Sequence, residues 1–276
     1  MSLQTNAMLI TLSVSCWTGR VQDKKVSEEV DANHGATNAG RYNKLLIDKA
    51  YMDPLVQHAG KVRQYHYKMT LPWMDNGARL LPSALFMEYS QEIRSLSAAY
   101  ENIVDNFISL YDSKLVQDAR MRLGTLYDPE DYPPGMDLRS KFSISTDIVP
   151  VPDGHDFRVD INDAERVRIS KEISAAVAER QASAERDAWA RCKDVVSTIQ
   201  ARLSSPKPVI RESLIDNASE LVRLLPGLNI SGNPKMTAVC DLITTDLIVN
   251  PGVLRNSMSA RKRVADAAGR ILAMMP

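Results

Sequence analysis

The stretch Ser83–Gly124, SALFMEYSQEIRSLSAAYENIVDNFISLYDSKLVQDARMRLG, decides the fold together with Asp163–Ser204, DAERVRISKEISAAVAERQASAERDAWARCKDVVSTIQARLS. In the first, Ile93, Leu96, Tyr100, Ile103, Phe107 and Leu110 recur at alternating spacings of three and four. That is the seam of a helix packed against a near-parallel or antiparallel partner. Beyond Leu110 the seam slips: Lys114 and Gln117 stand where apolar residues are due, and Leu115 and Ala119 replace them. Such a stutter relaxes supercoiling locally. Gly124 closes the helix as a C-terminal cap. The second stretch opens on Asp163 as its cap and carries Val177, Ala184, Ala188, Cys192, Val195 and Ile199 on its seam. Small residues facing bulky ones let helices approach closely, so the two seams read as complementary. The expectation is an antiparallel helical hairpin, a coiled-coil arm about 60 Å long at 1.5 Å rise per residue.

Between the two lies a proline- and acid-rich insert, residues 125–162. Tyr127-Asp-Pro-Glu-Asp-Tyr-Pro-Pro-Gly135 cannot stay helical past Pro129. Phe142–Val151 and Phe157–Ile161 are β-branched runs separated by the turn Pro152-Asp-Gly154. Upstream, Leu9, Thr11, Ser13 and Ser15 alternate with Ile10, Leu12, Val14 and Cys16, the period of a strand with one buried face. The first basic residue is Arg20, on the wrong side of this apolar run for a signal sequence, so the expected setting is cytoplasmic. Thr18–Gly40 is polar, with a short charged segment Val21–Val30. From Arg41 a helix is expected with Tyr42, Leu45, Leu46 and Lys49 on one face. Asp53-Pro54 then caps a second one, Pro54–Met69. Asn76-Gly77 between Leu71–Met74 and Ala78–Leu81 signals a hairpin. After Pro206 and Pro208 come three shorter helices, about Val209–Leu225, Pro234–Val249 and Pro251–Met275, the last two opening on Asn-Pro.

These readings give a mainly α protein with a small antiparallel β-sheet (α+β), a long helical arm and a C-terminal helical bundle. The expected division is 1–81, then the arm 82–205 with its insert 125–162, then the three-helix region 206–276. The chain has 276 residues, 44% hydrophobic and 25% charged, enough to bury a core without staples. Its 34 basic and 34 acidic residues cancel, which gives no general drive toward nucleic acid or anionic membrane. Cys16, Cys192 and Cys240 are sparse and form no CxxC pair, as suits a reducing compartment. The sequons at Asn217 and Asn229 are then chance matches. No run of about 18 apolar residues suggests a membrane span.

A search for chemistry finds no phosphate loop, HExxH, GxSxG, GxGxxG or calcium loop. His34, His58, His66 and His155 have no i,i+4 partner among themselves or with cysteine. Neither a cofactor nor a metal is therefore expected. From Asp128 to Glu165 ten acids stand against three bases. Asp128, Glu130 and Asp131, with Tyr132, are candidates for docking a basic partner, or for converging on Mg²⁺ or Mn²⁺. The commoner role of such a loop is capping and solubility. Trp17, Trp73 and Met74, at strand ends, are the other partner-contact candidates, and they equally suit plugs between elements. Lys61, Arg63, Tyr65, Tyr67 and Lys68 interleave aromatics with charge and are the weak nucleic-acid candidates. Helical spacing turns 61, 65 and 68 one way and 63 and 67 another, which favours a solvated face.

The segments Leu9–Val26 (LITLSVSCWTGRVQDKKV), Leu71–Pro82 (LPWMDNGARLLP), Leu123–Pro133 (LGTLYDPEDYP) and Val149–Val159 (VPVPDGHDFRV) resemble those of a family of uncharacterised phage and bacterial proteins, a domain of unknown function. The resemblance covers about residues 8 to 200. Its members are associated with genes for MoxR-type AAA+ ATPases and von Willebrand A proteins. It implies a non-enzymatic interaction protein, an adaptor or accessory subunit of a remodelling ATPase, and carries no catalytic residues. The alternatives are a self-assembling phage structural or assembly protein, a homo-oligomer, and an enzyme using the acidic loop with a divalent cation. For a phage-encoded chain the setting is the host cytoplasm.

Overall fold

The computed structural model describes residues 3–75, 77–154 and 162–276. The protein is mainly helical with a small antiparallel sheet, as the sequence leads one to expect. Short helix α1 (Leu3–Asn6) leads into strand β1 (Ala7–Ser15). Then come β2 (Arg20–Asp23), α2 (Lys24–Asn33), β3 (Tyr42–Leu45), α3 (Lys49–Met69) and β4 (Arg79–Pro82). The first long stretch is a 3-10 turn (Ser83–Leu85), α4 (Phe86–Leu110), a π turn (Tyr111–Leu115) and α5 (Val116–Leu123). After α6 (Gly135–Arg139) and β5 (Ser143–Pro150) the chain forms α7 (Asp163–Leu203), α8 (Ser213–Leu228), α9 (Pro234–Leu242), α10 (Pro251–Asn256) and α11 (Met258–Met274). One sheet has the order β4–β1–β5, and a two-stranded ribbon joins β2 to β3. The expected strand Phe157–Ile161 and the hairpin residue Asn76 lie outside the described residues. No described helix is long and apolar enough to cross a membrane.

The chain forms two compact units. One comprises residues 1–11, 67–89 and 147–276, the other 12–66 and 90–146. In the second unit, Met52, Leu55 and Ala59 of α3 share a core with Tyr100, Val104 and Phe107 of α4, Tyr111 and Leu115 of the π turn, and Leu138 and Phe142. The stutter read after Leu110 is this π turn. One extra residue rotates Tyr111 inward and leaves Leu110 41% exposed, and the buried positions then run 107, 111, 115, 119. Gly124 ends the helix at φ +55.

Several local expectations are corrected. Tyr42–Leu45 is a strand, not a helix, registered Arg20↔Leu45 to Asp23↔Tyr42. Helix α3 starts five residues before the expected first residue, Pro54, because Asp48 Oδ1 accepts from Ala50 N at 2.8 Å. Pro54 is then carried inside the second turn without a break. The cap of α7 is Asn162, accepting from Glu165 N, rather than Asp163. Asn233 and Asn250 cap α9 and α10 as read. The last helix, however, is interrupted where Ser257 Oγ accepts from Ala260 N and starts α11.

In the first unit β4 pairs with β1, Ala7↔Pro82 to Ile10↔Arg79, and Leu71 bridges Leu80. Helix α7 buries Ala184, Ala188, Cys192, Val196, Ile199 and Leu203, while Asp163–Ser183 carries no fully buried side chain. Its principal helix partners are α11 and α8. The bulky stripe of α4 is taken up by α3, and the alanine stripe of α7 by the C-terminal helices. Small meets small: α11 buries Ala260, Ala265, Ala267 and Ala268, and a Cβ at Gly269 would come 2.8 Å from Gln200 Nε2. Close axial approach follows from the missing side-chain bulk on both sides.

Helix α8 continues through Pro226, which has no N–H to give to the Val222 carbonyl. The Cys240 thiol of α9 faces that same oxygen at 3.5 Å. Burial first, and then the neighbouring Cys240, push the Cys192 thiol up to about 12. Both cysteines behave as small apolar residues of this bundle.

Candidate functional site

The first unit presents a groove whose floor comes from the segment that follows α3. Leu71 and Leu80 exchange backbone hydrogen bonds at 2.8 and 2.9 Å, and Met74 N donates to Ala78 O at 3.3 Å. This hairpin sets Trp73 and Met74 next to α7, which contributes Glu179, Arg180, Ser183 and Arg186. The groove encloses about 540 Å³, with Asp75 and Arg79 completing the hairpin side. Trp73 is only 5% exposed, whereas Met74 at the rim is 53% exposed. The Arg180 guanidinium lies 5.7 Å from the centre of the Trp73 ring, a cation–π geometry. The Trp73 indole N–H has no hydrogen-bond partner among the described residues.

A second set of charges fixes the groove from behind. Arg191 of α7 donates to the carbonyls of Lys68 (2.9 Å), Tyr67 (3.1 Å) and Thr70 (2.7 Å) and pairs with Asp187 at 2.8 Å. It thereby satisfies the end of α3, whose last carbonyls have no intrahelical donor. Arg79 donates Nε to Thr70 Oγ1 at 2.7 Å and Nη2 to Thr70 O at 3.2 Å, and lies 4.7 Å above the Tyr67 ring. Burial, then Arg191, lower the pKa of Arg79, and Asp187 pulls the other way. The guanidinium stays charged.

The acidic loop is built around a buried lysine in the second unit. Lys44, only 4% exposed, faces inward from β3; its Nζ lies 2.7 Å from Asp131 Oδ2 and 3.3 Å from Asp23 Oδ2, and donates to Leu126 O at 2.8 Å. Burial lowers the Lys44 pKa, but hydrogen bonds and charge from Asp131 and Asp23 outweigh it and leave it raised. Asp128 caps the 3-10 turn Pro129–Asp131 by accepting from Glu130 N. The Tyr132 hydroxyl donates to Leu46 O, and its ring stacks on Tyr127 with centroids 5.1 Å apart. Glu130 is exposed. Asp131 therefore holds an ammonium, and Asp128 a backbone amide. A cation at this loop would have to displace both.

The remaining candidates separate in the same way. Trp17 packs edge-on to Tyr111, centroids 6.0 Å apart, as a plug of the second unit's core. Along α3, Lys61, Arg63 and Tyr67 are exposed, and Tyr65 and Lys68 half-buried. Arg63 donates to Val14 O at 3.0 Å, Lys68 pairs with Glu220, and Tyr67 carries Arg79. Much of the basic–aromatic pattern is thus engaged in intramolecular contacts. The sequence reading missed Arg79, Arg180, Arg186 and Arg191. Arg180, Arg186 and Arg191 sit on α7 among many charges at helical spacing, and only the hairpin opposite separates them from an ordinary solvated face.

No protein-family model matches the sequence, and no curated protein and no solved structure matches it.

Proposed function

We propose that this protein is a non-enzymatic interaction protein, an adaptor or accessory subunit, which receives its partner at the Trp73–Arg180 groove. The carrying observation is the groove's composition. A buried indole, an exposed methionine at the rim and guanidinium groups at the wall are the side chains that dominate binding energy at protein interfaces. Met74 is unbranched and adapts to the surface it meets. The resemblance of four sequence segments to phage and bacterial proteins associated with MoxR-type AAA+ ATPases makes such an ATPase the partner to test first. Co-migration with a MoxR-type ATPase in gel filtration, or a change in its ATPase rate, is expected for the native chain and lost on Met74→Asp. Absence of both co-migration and a rate change with the native chain overturns the assignment.

Self-assembly is the second reading, and one feature favours it. Beside the C-terminal helices an apolar cleft of about 610 Å³ lies between Leu203, Pro206, Ala265 and Met258, and Met258 is 78% exposed. Light scattering of the purified chain separates the two readings: a defined oligomer that Met258→Glu dissolves supports self-assembly, and a monomer removes it.

A further inference from the structure

The charges of the groove specify what occupies it. Arg180 and Arg186 make no hydrogen bond or ion pair among the described residues, apart from the stacking of Arg180 on Trp73. Arg191, one turn beyond Arg186, is by contrast fully used by three carbonyls and a carboxylate. Two planar guanidinium forks thus stand open in a groove walled by an indole, where each offers paired donors to a carboxylate or phosphate. Arg79 adds a third, half-buried cation on the opposite side.

Asp75 and Glu179 lie in the same groove. A phosphodiester chain places a charge at every unit and meets these carboxylates head-on, whereas a peptide spaces its acids and avoids them. The zero formal charge of the whole chain likewise supplies no long-range attraction for nucleic acid. Arg180 and Arg186 are about 9 Å apart along the helix axis at 1.5 Å per residue. Acids two residues apart on an extended strand are about 6.7 Å apart on one face, a gap that flexible arginine stems span.

Resting on the reading of this groove as the docking site, we propose that its occupant is an extended acidic segment of a partner protein, with carboxylates at alternate residues held by Arg180 and Arg186. The Met74 side chain covers the segment from the rim.

The test uses fluorescence anisotropy on the full chain with three labelled probes. These are a 12-residue peptide of alternating Glu and Thr, its Gln–Thr analogue, and a single-stranded oligothymidylate of equal length. The Glu peptide is expected to bind, with the Gln analogue and the Arg180→Gln/Arg186→Gln variant each about tenfold weaker or more. Arg202→Gln, on the same helix outside the groove, is expected to bind as the native chain does. No binding of the Glu peptide, equal binding of the Gln analogue, indifference to the double variant, or tighter binding of the oligothymidylate each overturns the inference. Co-migration with the ATPase that depends on Met74, alongside an unbound Glu peptide, removes this inference and leaves the docking site standing. Loss of both removes both.

Discussion

Lys44→Met is the most decisive perturbation of the second unit. The lysine stem is retained in length and apolar character, so the change isolates the ammonium. Three interactions disappear together: those with Asp131 Oδ2 at 2.7 Å, Asp23 Oδ2 at 3.3 Å and Leu126 O at 2.8 Å. Two carboxylates are then left facing each other across the vacated position. Removing one partner of a buried ion pair costs about 3–5 kcal/mol. The Asp23 and Asp131 side chains keep 15% and 19% exposure, so water meets part of the demand. The cost falls to about 2–3 kcal/mol. For a chain of this size that lowers Tm by roughly 4–8 °C. Thermal and urea unfolding followed by far-ultraviolet circular dichroism measure it. Adding Asp131→Leu to Lys44→Met should recover at least half the loss, because an apolar pair of similar volume replaces a buried ion pair at little cost. A single variant within about 0.5 kcal/mol of the native protein, or a double variant less stable than the single, refutes the reasoning.

Three further outcomes are expected. The cluster is also a pH-dependent latch: hydrogen bonding from Val26 N, then the Lys44 contact, hold the Asp23 pKa below its ordinary 3.8 against an opposing desolvation, so its contribution is present above that value and lost as pH falls through the lower one. The raised pKa of Lys44 contributes fully below 10.5 and is lost as pH rises past it. Hydrogen-exchange protection of the Asp131 and Tyr132 amides should therefore be flat from about pH 5 to 9 once intrinsic rates are removed; a fall already at pH 5 contradicts this. Arg191→Ala takes a donor from three carbonyls at the end of α3 and should cost about 2 kcal/mol in urea unfolding, with Arg191→Lys recovering less than half. Gly227→Ala brings a Cβ to 2.6 Å from Leu85 Cδ2 and should cost about 1–3 kcal/mol, relieved when Leu85 is shortened to Ala in the same chain.

What the sequence made legible follows from where local chemistry is decisive. Strand β1 and the Asn-Pro caps at Asn233 and Asn250 are fixed within a few residues, and the structure carries each one, although β1 buries both Leu9 and Ile10 rather than a single face. The slip after Leu110 is also local, since it records the π turn in the spacing of buried residues. The ribbon of β2 and β3 was illegible because its inward residue is Lys44, and a buried lysine leaves no apolar alternation to read. Asp48 and Asp53 both look like caps, and Asp53-Pro54 looks the better. Tertiary packing of Met52 in the core extends the helix back past it. The alanine stripe of α7 told that a neighbour comes close, yet small residues name no partner. Within its own unit that stripe faces one equally poor in bulk, that of α11.

The candidate site was half legible for the same reason. Trp73 and Met74 stand out beside a turn signal, whereas an arginine on a polar helix face looks alike whether it caps a neighbour or waits for a ligand. Arg191 and Arg186 lie five residues apart on α7, and the structure gives them opposite standing. Arg191 is consumed in tying α7 to the end of α3, from which the hairpin carrying Trp73 immediately departs. Arg186 and Arg180 are left on the helix that this tie positions. The two walls of the groove are thus held in register by a hydrogen-bonded frame that is complete without the groove's own guanidiniums. A binding surface needs that division of labour, because donors already aimed by a rigid support lose little freedom when a partner arrives. Loosening the frame by Arg191→Ala should therefore weaken the proposed docking, although Arg191 does not line the groove.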